Sequence, residues 1–185
     1  MPTDATRNSL VLPLLGLLVE QPAHAYDLAA RLRSRYRQPA TRSTVTSLLR
    51  ALERTGLVAP GEPERVANRP ARRAYALTAA GFADFRQRVE RALRESAVAS
   101  PDFVMGVAYA GVLPAGYVLE ILDRRAERIA GEAAGLRELP PGLLEVHMLE
   151  VGYWVAMVDA ERQWIRRLAE RIRGGDIEWP EEESP

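Results

Sequence analysis

A 3.6-residue apolar period runs through most of this 185-residue sequence, and two short strand-like runs interrupt it in the first half. Helices are expected at about 9–20, 24–35 and 41–55, strands at 57–60 ("LVAP") and 72–78 ("RRAYALT"), and a fourth helix at about 79–96. The stretch between the strands, "GEPERVANRP", is a Pro- and Gly-punctuated connector too polar to be core. The order is therefore three helices, a two-stranded ribbon and a fourth helix.

Local signals fix the ends of these elements. Pro13 is tolerated in the first turn of the first helix, and Gln21-Pro22-Ala23 closes it. Leu28 and Leu32 bury one side of the second helix, with Tyr26 nearby, and the turn at Tyr36–Ala40 contains Pro39. Thr41 is placed to cap the third helix, and Gly56 stands where a left-handed residue ends one, with Leu57 making the apolar contact. Val45, Leu48, Leu49 and Leu52 give that helix one apolar face. Its other face carries Arg42, Ser43, Thr46, Ser47 and Arg50 and no acid. Thr78 caps the fourth helix, whose stripe is Phe82, Phe85, Val89 and Leu93.

Net charge is zero, yet residues 1–95 hold sixteen arginines against nine acids, and residues 96–185 hold nine against sixteen. A basic first half suits a polyanion, although two halves docking by charge would give the same asymmetry. The absence of Cys removes thiolate nucleophiles and cysteine metal sites and fits a reducing cytoplasm. The longest apolar run, Leu10–Val19, is too short to span a bilayer, so no membrane partner is expected. His24 and His147 stand far apart and fit no metal-ligand spacing. There is no phosphate-cradling glycine loop and no nucleophile elbow. Glu120 and Asp123 lie beside Arg124 and Arg125, which reads as a solvated face. No enzyme activity, catalytic residue, metal or cofactor is expected.

The element order is that of a winged helix-turn-helix, and a third helix bare of acid suits a DNA major groove. Residues 10–95 also resemble the PadR-like family of winged-helix transcriptional regulators. The resemblance rests on "HAYDLAARL" (24–32), "LLRALERTGLV" (48–58) and "NRPARRAYALTAAG" (68–81), in family order and spacing. The chain departs from it at Ser43–Ser47, where the family has a Gly-x-Leu-Tyr-Pro-like run. The resemblance implies a regulator, commonly a repressor, that binds a palindromic operator and releases it on binding an effector. Arg42, Ser43, Thr46, Ser47 and Arg50 would meet base edges or phosphates. Arg65, Asn68, Arg69, Arg72 and Arg73 form a wing suited to phosphates or the minor groove. Of Arg31, Arg33, Arg35 and Arg37, only some can share one surface.

The second half reads as helical: a short helix at 103–112, one opened by Pro114, a break at "ELPPG" (138–142), and one long pattern from Leu143 to about Arg173. The expected fold is thus mainly α, with a winged helix-turn-helix domain (1–97), a helical dimerisation domain (98–175) and an acidic disordered tail (176–185). In the long helix Leu144, Met148, Val151, Val155 and Val158 form a core stripe. A second stripe, His147, Glu150, Trp154, Met157, Glu161 and Trp164, fits either dimer packing or an effector site for a planar or cationic molecule. The partners expected are double-stranded DNA, a second copy and, if the chain is responsive, a small effector. Two other functions fit the same helices: an effector-independent architectural DNA binder and a winged-helix protein-interaction module.

Overall fold

The computed structural model describes residues 8–63, 72–137 and 145–180. The chain divides into two units, Met1–Arg88 and Val89–Pro185. The first contains α1 (Val11–Glu20), β1 (Ala23–His24), α2 (Ala25–Tyr36), α3 (Arg42–Arg54), β2 (Val58–Pro60) and β3 (Ala74–Leu77). The boundary falls within α4 (Ala79–Glu95).

α1 buries Val11, Leu14, Leu15, Leu17 and Leu18. Pro13 is harmless there because a first-turn N–H has no intrahelical acceptor to lose. The three-helix core is completed by Leu28 and Leu32 of α2 and by Val45, Leu49 and Leu52 of α3. α3 ends in a Schellman motif: the Leu57 N–H donates to the Leu52 carbonyl at 2.9 Å and the Gly56 N–H to that of Glu53 at 3.0 Å. Gly56 has φ +74°, a conformation glycine adopts without steric cost.

The expected two-stranded ribbon is a three-stranded antiparallel sheet in the order β1-β3-β2. The extra strand is two residues long and pairs Ala23 with Tyr75 and His24 with Ala74. On the other side of β3, Val58 pairs with Leu77 and Pro60 with Tyr75.

Thr78 joins this sheet to α4. Its hydroxyl accepts the Gly81 N–H at 2.9 Å and is 2.7 Å from the Gly56 carbonyl, while its own N–H donates to Leu57 O at 3.1 Å. Gly81 sits against Leu57: a Cβ there would lie 1.9 Å from the Leu57 carbonyl oxygen. Phe85 is buried as expected, but Phe82 is 40% exposed and stands outside the core.

The second unit takes the end of α4, then α5 (Pro101–Ala108), a 3-10 turn (Ala110–Val112), α6 (Ala115–Arg137), a second 3-10 turn (Glu145–Met148) and α7 (Leu149–Arg173). α5 begins two residues before the expected 103 because the Ser100 hydroxyl accepts the Phe103 N–H at 3.2 Å and Pro101 fits the first helical position. Residues 138–144, which include the "ELPPG" break, lie outside the described residues. α7 opens at Leu149 rather than 143, behind the 3-10 turn, and its 25 residues make it about 37 Å long.

α6 packs along α7. Val118, Ile121, Leu122, Ile129 and Ala133 of α6 are buried, as are Val158, Ile165 and Ala169 of α7. Of the stripe expected to be core, Val158 alone is buried; Met148, Val151 and Val155 are half-buried, and Leu144 lies outside the described residues. Residues 176–180 differ from the disordered tail expected there: Ile177 and Trp179 are half-buried, and the Trp179 indole N–H donates to the Leu113 carbonyl at 2.8 Å. No helix among the described residues is long and apolar enough to cross a membrane.

Candidate nucleic-acid interface

α3 is set by the residue that caps it. The Thr41 hydroxyl accepts the Thr44 N–H at 3.1 Å, as an N-cap should, and lies 2.8 Å from the hydroxyls of both Ser43 and Thr44. The buried stripe of Val45, Leu48, Leu49, Ala51 and Leu52 then fixes which side of the helix faces out. Arg42, Ser43, Ser47 and Arg50 are exposed on it. Thr46 is half-buried, and its hydroxyl donates to the Arg42 carbonyl at 2.8 Å. Two of the five expected contact residues, Ser43 and Thr46, therefore already have a hydrogen bond within their own helix.

One carboxylate stands near this face. Glu53 is half-buried and hydrogen-bonded to Tyr75 of β3. Burial, with the Glu53 charge second, holds the Tyr75 phenol above its usual value. Glu53 is thus tied to the sheet at the end of α3. Sequence reasoning missed Tyr75, since nothing local to β3 points to a partner on a helix.

Arg72 and Arg73 are exposed where the chain enters β3. Arg65, Asn68 and Arg69 lie outside the described residues. All three α2 arginines have intramolecular work. Arg31 and Arg35 both pair with Glu20, and Arg33 donates to the Ala40 carbonyl at 2.7 Å. Arg37 ends α2 in the left-handed region at φ 53°.

The structure does not bring the six residues of the second stripe together, and His147 is exposed in the 3-10 turn before α7. Glu150 and Trp154 are exposed, Met157 is half-buried, and Trp164 packs edge-on against Phe103 with ring centroids 6.1 Å apart. Glu161 turns inward and is 9% exposed.

Its partner is Arg125, 1% exposed, which corrects the reading of that residue as part of a solvated face. Arg125 Nε donates to Glu161 Oε1 at 2.7 Å, and the Ala99 N–H donates to Oε2 at 2.8 Å. The rest of the guanidinium serves the carbonyls left open where α4 ends: Leu93 at 3.3 Å, Ser96 at 2.8 Å and Ala97 at 3.2 Å. It also stands 4.0 Å from the Phe103 ring centre. Burial lowers the Arg125 pKa from its usual value, against the opposing pull of Glu161. A clue was present in the sequence: residue 125 lies three after Leu122 and four before Ile129, on the apolar stripe of α6.

Among the described residues no group of three or more His, Asp or Glu could hold a metal ion. The helical order, the small antiparallel sheet and the outward α3 define a winged helix-turn-helix protein. Residues 14–87 match the model of the Transcriptional regulator PadR-like family. No curated protein sequence matches the chain.

Among solved structures, Bacillus subtilis PadR in complex with operator DNA aligns at 14% identity and TM-score 0.45, over 89% of this chain and 99% of that one. The smu.1604c protein of Streptococcus mutans UA159 aligns at 19% identity and TM-score 0.41, over 86% and 98%. The PadR-like transcriptional regulator BC1756 of Bacillus cereus aligns at 18% identity and TM-score 0.38, over 89% and 98%.

Proposed function

We propose that this chain is a sequence-specific DNA-binding transcriptional regulator, a repressor acting as a homodimer on a palindromic operator. The observation that carries the reading is the outward side of α3. Arg42, Ser47 and Arg50 are exposed there, and the one acid of α3, Glu53, is half-buried at its far end. An arginine reaching guanine in the major groove makes two N–H donations that no other base pair accepts equally well. Arg72 and Arg73, with Arg65, Asn68 and Arg69 of the wing, take the phosphates or the minor groove. Ser43 and Thr46 join only by exchanging their present hydrogen bonds for new ones.

A bandshift titration over several salt concentrations tests this. Replacing Arg72 and Arg73 with serine should weaken binding to all sequences alike and flatten the salt dependence, because fewer counterions are released. Replacing Arg42 or Arg50 should also change base preference, by about 1–3 kcal/mol where a bidentate contact is lost. Retention of full affinity by the fourfold variant would move the DNA surface elsewhere. Weak, salt-insensitive binding would favour a protein-interaction module instead.

Dimerisation is assigned to the start of α7. Val146, Leu149 and Tyr153 fall at i, i+3 and i+7 and are 60–64% exposed, with Trp154 beside them at 45%. This is more apolar surface than a solvated helix needs. Trp154 is accordingly given to the partner copy rather than to an effector. Glutamate at both Leu149 and Tyr153 should yield monomers by analytical ultracentrifugation and weaken operator binding. In the wild-type dimer, half-sites should lie about 34–36 Å apart or at a multiple of that spacing. A monomeric wild-type protein would end the dimer assignment.

A further inference from the structure

A buried ion pair is often no more stable than an apolar pair of similar volume, so stability alone does not account for Arg125 and Glu161. The contacts of Arg125 converge on one place, the end of α4. Its guanidinium holds the carbonyls of Leu93, Ser96 and Ala97. Arg128 adds longer bonds to the carbonyls of Arg94 at 3.3 Å and Ser96 at 3.4 Å, and the Ser96 hydroxyl donates to that of Ala92. α5 closes on the same turn: a Cβ on Gly106 would come 3.0 Å from the Leu93 nitrogen and 3.1 Å from the Ala92 Cβ. We propose that Arg125 is a positioning residue for operator recognition: its grip on the end of α4 fixes the direction of that helix, and with it the half-site spacing that the dimer accepts. The inference rests on the reading of the chain as a dimeric DNA-binding regulator.

An arginine suits this task because its donors form a rigid planar fork, and hydrogen bonds hold direction where apolar contacts let a helix tilt. Glu161 keeps the fork in place from α7, with one oxygen on Arg125 Nε and the other on the Ala99 N–H. α4 has 17 residues, about 25 Å, and the boundary between the two units falls within it. A tilt of about 10° at the held end displaces the other end by about 4 Å, more than the rise of about 3.4 Å between base pairs. A dimer with loosely held α4 helices therefore accepts half-sites moved by a base pair or two. The effect is on spacing, not on the contacts that each half-site receives.

The test uses the full chain. Duplexes bound by the wild type are selected from random DNA, and the best two-half-site sequence is remade with one or two base pairs added or removed between the half-sites. Two base pairs turn one half-site by about 70° relative to the other. The wild type should lose about tenfold or more in affinity there, the worth of at least one specific base contact. Arg125→Met combined with Glu161→Leu, an apolar pair, should lose less than about threefold. Arg125→Lys, which keeps the charge without the fork, should be equally permissive. A duplex with a single half-site should bind all three proteins alike, within about twofold, because Arg125 lies far from the base contacts along the chain. Wild-type stringency in either variant, or loss of single half-site binding in step with two-site binding, would overturn the proposal. A wild type that selects no DNA, or single half-sites only, would remove the regulator reading itself and this inference with it.

Discussion

Glu161→Leu will destabilise the second unit by about 3–5 kcal/mol, the usual cost of removing one member of a buried ion pair. The substitution leaves the Arg125 guanidinium without a counter-charge at 1% exposure and deprives the Ala99 N–H of its acceptor. Ala99 has φ +56°, a left-handed conformation that a β-carbon disfavours, so the same carboxylate also holds a strained residue in place. Denaturant unfolding of the full chain measures the loss. Adding Arg125→Met should recover part of it, because an apolar pair can replace an ionic one at little cost. Recovery should stop short of wild type by about 2 kcal/mol, since the carbonyls of Leu93, Ser96 and Ala97 then lose their donor. A loss below about 1 kcal/mol for the single variant would mean that the pair contributes little beyond a surface bridge.

Gly81→Ala should cost about 3 kcal/mol despite lying in a helix, where alanine is ordinarily better by about 1 kcal/mol. The new Cβ would fall 1.9 Å from Leu57 O, 2.9 Å from Leu57 C and 2.9 Å from Leu77 Cδ1. The first two are main-chain atoms, so no rotamer change relieves the overlap. Relief requires α4 to move away from the turn that ends α3, which breaks the hydrogen bonds made through Thr78. Gly131→Ala in α6 is the control: nothing lies within 4 Å of its Cβ, and it should stabilise by up to about 1 kcal/mol. Thermal unfolding followed by circular dichroism separates the two signs. Equal effects from both would show that the Leu57 contact is soft.

How much was legible in the sequence followed from how local each signal is. α3 was readable because its cap, its apolar stripe and its Schellman glycine all lie within residues 41–57. β1 was not, since two residues carry no pattern and the strand exists only through its pairing with β3. Arg125 was misread because its charge outweighed its place on the apolar stripe of α6. The segment 176–180 was misread because acid and proline dominate its composition, while Ile177 and Trp179 decide where it packs. At the candidate interface, residue types picked out the face of α3 that the structure leaves exposed. They did not reveal that the Ser43 and Thr46 hydroxyls are engaged within the helix or that Glu53 turns to Tyr75.

The pairing of β1 with β3 also sets an order of events in folding. Ala23 and Tyr75 meet across a span that contains all of α2, α3 and β2. The entropy of closing so long a loop must be met before the contact returns any stability. The helices can form from local contacts, but the sheet waits for its last strand. On a ribosome, which releases the chain from its N-terminus, α3 would emerge well before β3 can dock beside it. Until that strand arrives, α3 has its shape but not its frame.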